Sequence, residues 1–333
     1  MRSRFTAILA TALVVAACGG GDTGSTTSVG TSPTTTTAVS TTVVATTAPA
    51  TTTTSFEDGF PVTIETASGS LTIDERPSAV VSLSASATEL LFALGAGDQV
   101  VAADEFSDYP PEAPTTDLSG ISPNLEAIAS YGADLVVASF DPGDLVAGLG
   151  ALGIPVLVQD APVKLDDVYA QIEQLGAVTG NGAGAEMLVA DMQAGIAQVV
   201  ASLPEGAAGL TYYHELDDQF FTVTSATFIG QVYGLLGLVN VADVADPDGF
   251  GYPKLQEEYL IEADPDLVFL ADTKCCGQSA ATLAERPGWE AMTAVTNGAV
   301  VELDDDVASR WGPRIVDFLE AVGHAVTELV ALS

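Results

Sequence analysis

Between residues 166 and 203 the chain carries apolar side chains at helical spacing, Val168, Ile172, Leu175, then Met187, Leu188, Met192, Ile196, Val199 and Val200, with almost no strand signal. On both sides of it, short β-rich runs alternate with helical periodicity. A strand-poor stretch between two alternating halves predicts an α/β fold: two parallel-sheet lobes joined by a long backbone helix. Gly180 to Gly184 mark a break at which this segment could become two abutting helices.

In the first half, "AVVSLS" (79 to 84), "VVAAD", "DLVVAS" (134 to 139) and "IPVLVQD" (154 to 160) read as strands. Ala87 to Leu94 reads as a helix, and another starts near Ser122-Pro123, with serine as cap and proline in the first turn. The second half reads as strands "GLTYYHEL", "FFTVT", "DLVFLAD" and "GAVVELD", with helices over 228–237, over 254–263 and from about Pro313. Near-continuous apolar strands indicate sheets covered on both faces. The halves also echo each other: "LEAIASYGADLVVAS" and "LQEEYLIEADPDLVFLAD" each give a helix, a turn and Asp-Leu-Val opening a strand. Two similar lobes suit gripping something between them.

The amino terminus has another character. Arg2 and Arg4 precede an apolar run from Ala7 to Ala17, the pattern of an export signal. Its ending, Val15-Ala-Ala-Cys18, resembles a bacterial lipobox, which implies cleavage before Cys18 and a lipid anchor on its sulfur. Residues 19 to 55 hold 16 Thr and 5 Ser with one charge, Asp22, and are expected to be a disordered tether. The predicted boundaries are signal peptide 1–17, lipidated cysteine and linker 18–55, amino-terminal lobe 56–165, connecting helix 166–203 and carboxy-terminal lobe 204–333. With 45 acidic against 9 basic residues the chain is near −36, which excludes nucleic acid as a natural partner and argues against adhesion to anionic lipid.

"RPSAVVSLSASATELLFALGAGDQVVA", "NLEAIASYGADLVVAS", "EADPDLVFLAD", "ERPGWEAMTAVTNGAVVELD" and "GPRIVDFLEAVG", in that order, resemble the substrate-binding lipoproteins of ferric-siderophore and cobalamin ABC importers. The resemblance covers residues 60 to 331. It implies two lobes with a rigid helical bridge, a monomer, a ligand in the cleft, and delivery to a membrane permease and, through it, to ATPases. It also implies docking through an acid on each lobe. In the first lobe that position is Glu89, although Ser86-Ala-Thr-Glu89 also fits a helix capping box. In the second lobe the position falls on Gly234.

Loops after the carboxyl ends of parallel strands line the cleft in such folds. This nominates Ser84, Ser86, Phe106, Tyr109, Phe140, Tyr213, His214, Lys274, Arg310 and Trp311 as ligand-binding residues. Cations there are few, namely Lys274, Arg310 and Arg314, whereas an anionic catecholate would want several. A neutral or cationic ligand is therefore expected, such as a ferric hydroxamate or a cobalamin, with haem, another small ligand or a non-transport surface role as alternatives. No metal site or cofactor is expected: the histidines are His214 and His324, and His324 sits with Glu320 and Glu328 on a solvated helix face. Cys275 and Cys276 lack the companions of a zinc site and the spacing of a redox Cys-x-x-Cys. They predict a vicinal disulfide at the cleft rim, against two free thiols. No nucleophile elbow, phosphate loop or metalloprotease motif is present, so no enzyme is expected, and Asp304 to Asp306 read as a solvated turn.

Overall fold

The computed structural model describes residues 59–66 and 69–332. The signal peptide, Cys18 and the linker lie outside the described residues. The chain opens with a hairpin not foreseen from the sequence, β1 (Val62–Thr66) antiparallel to β2 (Gly69–Ile73).

The first lobe is a five-stranded parallel sheet of β3 (Val80–Leu83), β4 (Val100–Asp104), β5 (Thr115–Leu118), β6 (Leu135–Ala138) and β7 (Val156–Val158), in the order β5-β4-β3-β6-β7. Helices α1 (Ala85–Ala93), α2 (Leu125–Ser130) and α3 (Leu145–Gly150) make crossovers. All four residues of β3 and of β6 are buried, as expected for a sheet covered on both faces. The start of α2 differs from expectation. Its cap is Asn124, whose side-chain oxygen accepts from the N–H of Glu126 and Ala127, so Pro123 precedes the helix instead of entering it.

The connecting segment is two helices. The first, α4 (Leu165–Thr179), starts where the Asp167 carboxylate accepts from the N–H of Val163 and Lys164. It ends at Gly180, which adopts φ +68, a left-handed conformation that glycine takes without a Cβ penalty. The second, α5 (Gly182–Ser202), is the bridge. Near its start Gly184 lies against the Leu94 carbonyl of the first lobe, and farther along Gly195 faces Val316 of the second. Of the two readings of 166–203, one long helix or two abutting at Gly180 to Gly184, the structure has the second, with α4 packed on β1 and α1 in the first lobe and α5 as the bridge.

In the second lobe β8 (Thr211–Glu215), β9 (Val239–Asn240), β10 (Leu267–Leu270) and β11 (Val300–Glu302) form a parallel sheet in the order β11-β10-β8-β9. Its helices are α6 (Phe228–Leu235), α7 (Glu257–Ala263), α8 (Thr273–Cys276), α9 (Ala280–Ala284), α10 (Thr293–Thr296), α11 (Asp305–Ser309) and α12 (Ile315–Leu332). "FFTVT" is not a strand. The Asp217 carboxylate accepts from the N–H of Gln219 and Phe221, turning the chain back so that Thr222 and Phe221 form only isolated bridges, to Glu215 and Lys254.

The echo has a physical basis. The Asp134 carboxylate, just before β6, accepts from the N–H and hydroxyl of Ser78 and the N–H of Ala79, just before β3. Asp266, just before β10, accepts from the N–H and hydroxyl of Thr211 at the start of β8. Each lobe thereby pins its first strand to the neighbour across which strand order reverses. That reversal is where α/β sheets open a crevice beyond their carboxyl ends.

Candidate functional site

The loops beyond the carboxyl ends of the two sheets meet. Arg310, at the end of α11, donates from Nη1 to Glu89 Oε1 (3.1 Å) and Asp108 Oδ1 (2.8 Å), and from Nη2 to the Phe106 carbonyl (3.0 Å) and Asp306 Oδ1 (2.7 Å). Arg314 donates from Nε to Glu89 Oε2 (2.9 Å) and from Nη2 to Oε1, and its guanidinium lies 4.1 Å from the Tyr109 ring centroid. Glu89 and the loop after β4 belong to the first lobe, and both arginines to the second. The Glu89 side chain is fully buried. The expectation of a docking carboxylate presented to a partner is therefore corrected: two internal guanidinium groups already occupy it. Its capping-box role is absent too, because Ser84 caps α1. Gly234 is no acid either, so neither nominated docking position offers an accessible carboxylate.

Of the nominated cleft residues, Phe106, Tyr109 and Phe140 are exposed on the loops after β4 and β6. Apolar rings at a crevice mouth offer flat surface to an amphipathic ligand. On the second lobe the exposed rings that the sequence did not nominate are Phe221, Phe250 and Tyr252, with Lys254 beside them. The extended segment Gly251 to Leu255 runs beside Phe220 to Thr224, through the N–H groups of Thr222, Thr224 and Leu255. Phe221 and Tyr252 are exposed, Phe250 is 78% exposed, and Lys254 Nζ stands 5.5 Å from the centroid of the Phe221 ring. Tyr252 and Lys254 alternate at the spacing that places side chains on one face of an extended chain, whereas Gly251, at φ +94, turns the backbone between Phe250 and Tyr252.

Four nominations belong to the interior. Ser84 caps α1, its hydroxyl accepting from the Ala87 N–H, and Ser86 is buried beside it. Tyr213 is fully buried, edge-on to Trp289. His214 is also fully buried, with Nδ1 2.8 Å from the Tyr233 hydroxyl, and burial holds its imidazole down to about 3, hence neutral. Tyr213 and His214 lie within β8, and Ser84 and Ser86 in the cap and first turn of α1, which turn them inward. Trp311 is half-buried against the main core.

The second lobe's strand ends carry a polar floor. Glu215, fully buried at the end of β8, takes two bonds from Arg286 (2.7 and 2.6 Å), and Arg286 also donates to Gln278. Asp272, following β10, is fully buried with neither carboxylate oxygen hydrogen-bonded. Burial first, and then the charge of Glu215, raise it to about 7. The Asp305 carboxylate accepts from the successive N–H groups of Thr273, Lys274 and Cys275, holding α8. Within it Cys275 and Cys276 are joined as an exposed disulfide. Lys274 is exposed but ion-paired at 2.8 Å to both Asp304 and Asp306. Asp304 to Asp306 are therefore not a free solvated turn, because each carboxylate fixes part of this rim.

Among the described residues no group of three or more His, Cys, Asp or Glu could hold a metal ion, and no helix is long and apolar enough to cross a membrane. A groove of about 640 Å³ between β11 and α12, lined by Val300, His324 and Leu332 among others, includes none of the residues at the meeting of the lobes.

The profile of a family described as periplasmic binding protein matches residues 80–307. An uncharacterized ABC transporter substrate-binding lipoprotein of Bacillus subtilis is 28% identical over 281 residues, covering 80% of this chain and 86% of that one. A cobalamin-binding protein of Halobacterium salinarum is 31% identical over 276 residues, covering 80% and 74%. The crystal structure of a periplasmic vitamin B12 binding protein of Vibrio cholerae superposes with TM-score 0.61 at 25% identity, over 76% of this chain and 97% of that one.

Proposed function

This chain belongs to the periplasmic binding protein family, and from that premise we propose that it captures a corrinoid between its lobes for import. It is the extracytoplasmic substrate-binding protein of an ABC importer, held at the membrane by lipid on Cys18 and working as a monomer. It hands its ligand to a permease whose ATPase lies beyond.

The observation that carries this reading is the composition of the crevice. Exposed rings stand on both lobes, Phe106, Tyr109 and Phe140 on the first and Phe221, Phe250 and Tyr252 on the second, while Arg310, Arg314, Arg286 and Lys274 are already ion-paired. A ligand of net negative charge would have to compete with those internal carboxylates. A large, flat, neutral or cationic ligand meets mostly apolar surface instead. The 31% identical cobalamin-binding relative agrees with this chemistry. A ferric hydroxamate is the second reading, favoured by the same occupied cations.

Titration with cyanocobalamin, a ferric trihydroxamate and a ferric tricatecholate, followed by thermal shift, tests the proposal. Cyanocobalamin at about 100 times its Kd should stabilise the fold by about 2.7 kcal/mol. Stabilisation by the tricatecholate, with none by cyanocobalamin, would overturn the reading.

A further inference from the structure

We propose that Glu89 and Arg314 are positioning residues that fix the Tyr109 ring as a ligand-facing wall, with Arg310 fixing the loop that carries it. The proposal rests on the reading of the crevice as the ligand site.

Tyr109 is 40% exposed and sits on a loop between β4 and β5. An exposed ring on a loop would ordinarily sample several orientations and would lose that freedom on binding. Here the freedom is already removed. The Arg314 guanidinium lies on the ring, and it is turned to that position by its two bonds to Glu89. A carboxylate and a guanidinium meeting through two bonds fix a plane as well as a distance. Arg310 completes the arrangement by bonding the Phe106 carbonyl and the Asp108 carboxylate, on either side of Ser107, in the same loop.

The arrangement crosses between lobes. Glu89 follows β3, whereas the arginines follow β11, so the first lobe's aromatic wall is held by the second lobe's side chains. Space around Glu89 is confined accordingly: a Cβ at Gly312, between the two arginines, would stand 2.9 Å from Glu89 Oε2. Asp108 and Asp306 balance the second guanidinium, so the cluster leaves no surplus cation to attract an anionic ligand.

Arg314→Lys keeps the charge but removes the planar fork and its stacking face, and it is the test variant for affinity. The first measurement uses the full chain without ligand and the variant Arg310→Lys, because Arg310 bonds the loop backbone: amide hydrogen exchange over residues 105–113, with β10 and β11 as internal reference. The expected result is about tenfold faster exchange in that loop and none in the reference strands. An unchanged loop overturns the proposal.

The second is a double-mutant cycle on cyanocobalamin affinity. Arg314→Lys should weaken binding about tenfold, but less than about twofold when Tyr109 is already alanine. Equal losses in both backgrounds would mean that Arg314 acts other than through Tyr109, and would overturn the proposal. Where Glu89→Gln folds, it should reproduce the Arg314→Lys loss of affinity and its dependence on Tyr109. Failure of the unaltered chain to bind cyanocobalamin would strike at the corrinoid reading instead, leaving the exchange measurement to decide the positioning role.

Discussion

Asp272 and Glu215 end neighbouring strands, both side chains are buried, and the guanidinium beside them is that of Arg286. Two carboxylates facing one cation in a dry setting favour keeping a proton on one of them, and Asp272, which has no hydrogen-bond donor of its own, is the one raised to about 7. In the unfolded chain it titrates near 3.8. The unfolded state therefore releases this proton first, and folding stability falls as pH climbs from about 4 to about 7, then stays at the lower value. His214 acts in the opposite sense. Held near 3 against an ordinary 6.5, it removes stability as pH falls through that interval. Asp272→Asn, which mimics the protonated form, should raise the melting temperature by about 3–6 °C at pH 8.5 and by less than about 1 °C at pH 4. Equal effects at both pH values in differential scanning calorimetry would show that the buried charge is not the cause.

At the scale of elements, α5 connects the lobes because glycine lets it approach both. The start of the helix presses its Gly184 onto the carbonyl of Leu94, the residue that caps α1. Backbone cannot yield as a flexible side chain can, so a methyl group at this point must displace one helix or the other. Gly184→Ala should cost about 2–3 kcal/mol in denaturant unfolding despite alanine's better helix propensity. A neutral or stabilising effect would mean that the approach is looser than the structure describes. Gly195→Ala meets a valine side chain instead and should cost less.

For the whole molecule the dominant fact is charge. At a formal −36 the chain repels itself, and salt within the Debye range relieves that repulsion. Raising NaCl from 20 to 500 mM should raise the melting temperature by about 5 °C, while affinity for neutral cyanocobalamin should change less than about twofold. A steep salt dependence of that affinity would indicate that net ligand charge matters, against the proposed corrinoid. The loops after the carboxyl ends of the two sheets meet at one place. The ion pairs from Arg310 and Arg314 to Glu89 tie those ends together.

Most of the architecture was legible because it rests on local patterns. Apolar runs gave β3, β4, β6, β7, β8, β10 and β11 but not the short, more polar β5 and β9, helical spacing gave α4 and α5, and the repeated Asp-Leu-Val marked a device that works within about 55 residues of chain. Gly180 signalled the helix break, although not that α4 would pack in the first lobe. The errors concern residues whose role depends on distant partners. Tyr213 and His214 looked like cleft residues because they lie near the end of a strand, but that strand is buried to its last residue. Glu89 looked available because its arginines lie 221 and 225 residues away. By itself the sequence determined two parallel-sheet lobes, a helical bridge and an acidic surface, since periodicity and composition act locally. Which side chains face the crevice, and which charges are already paired, was decided only when the tertiary structure brought the ends of the two sheets together.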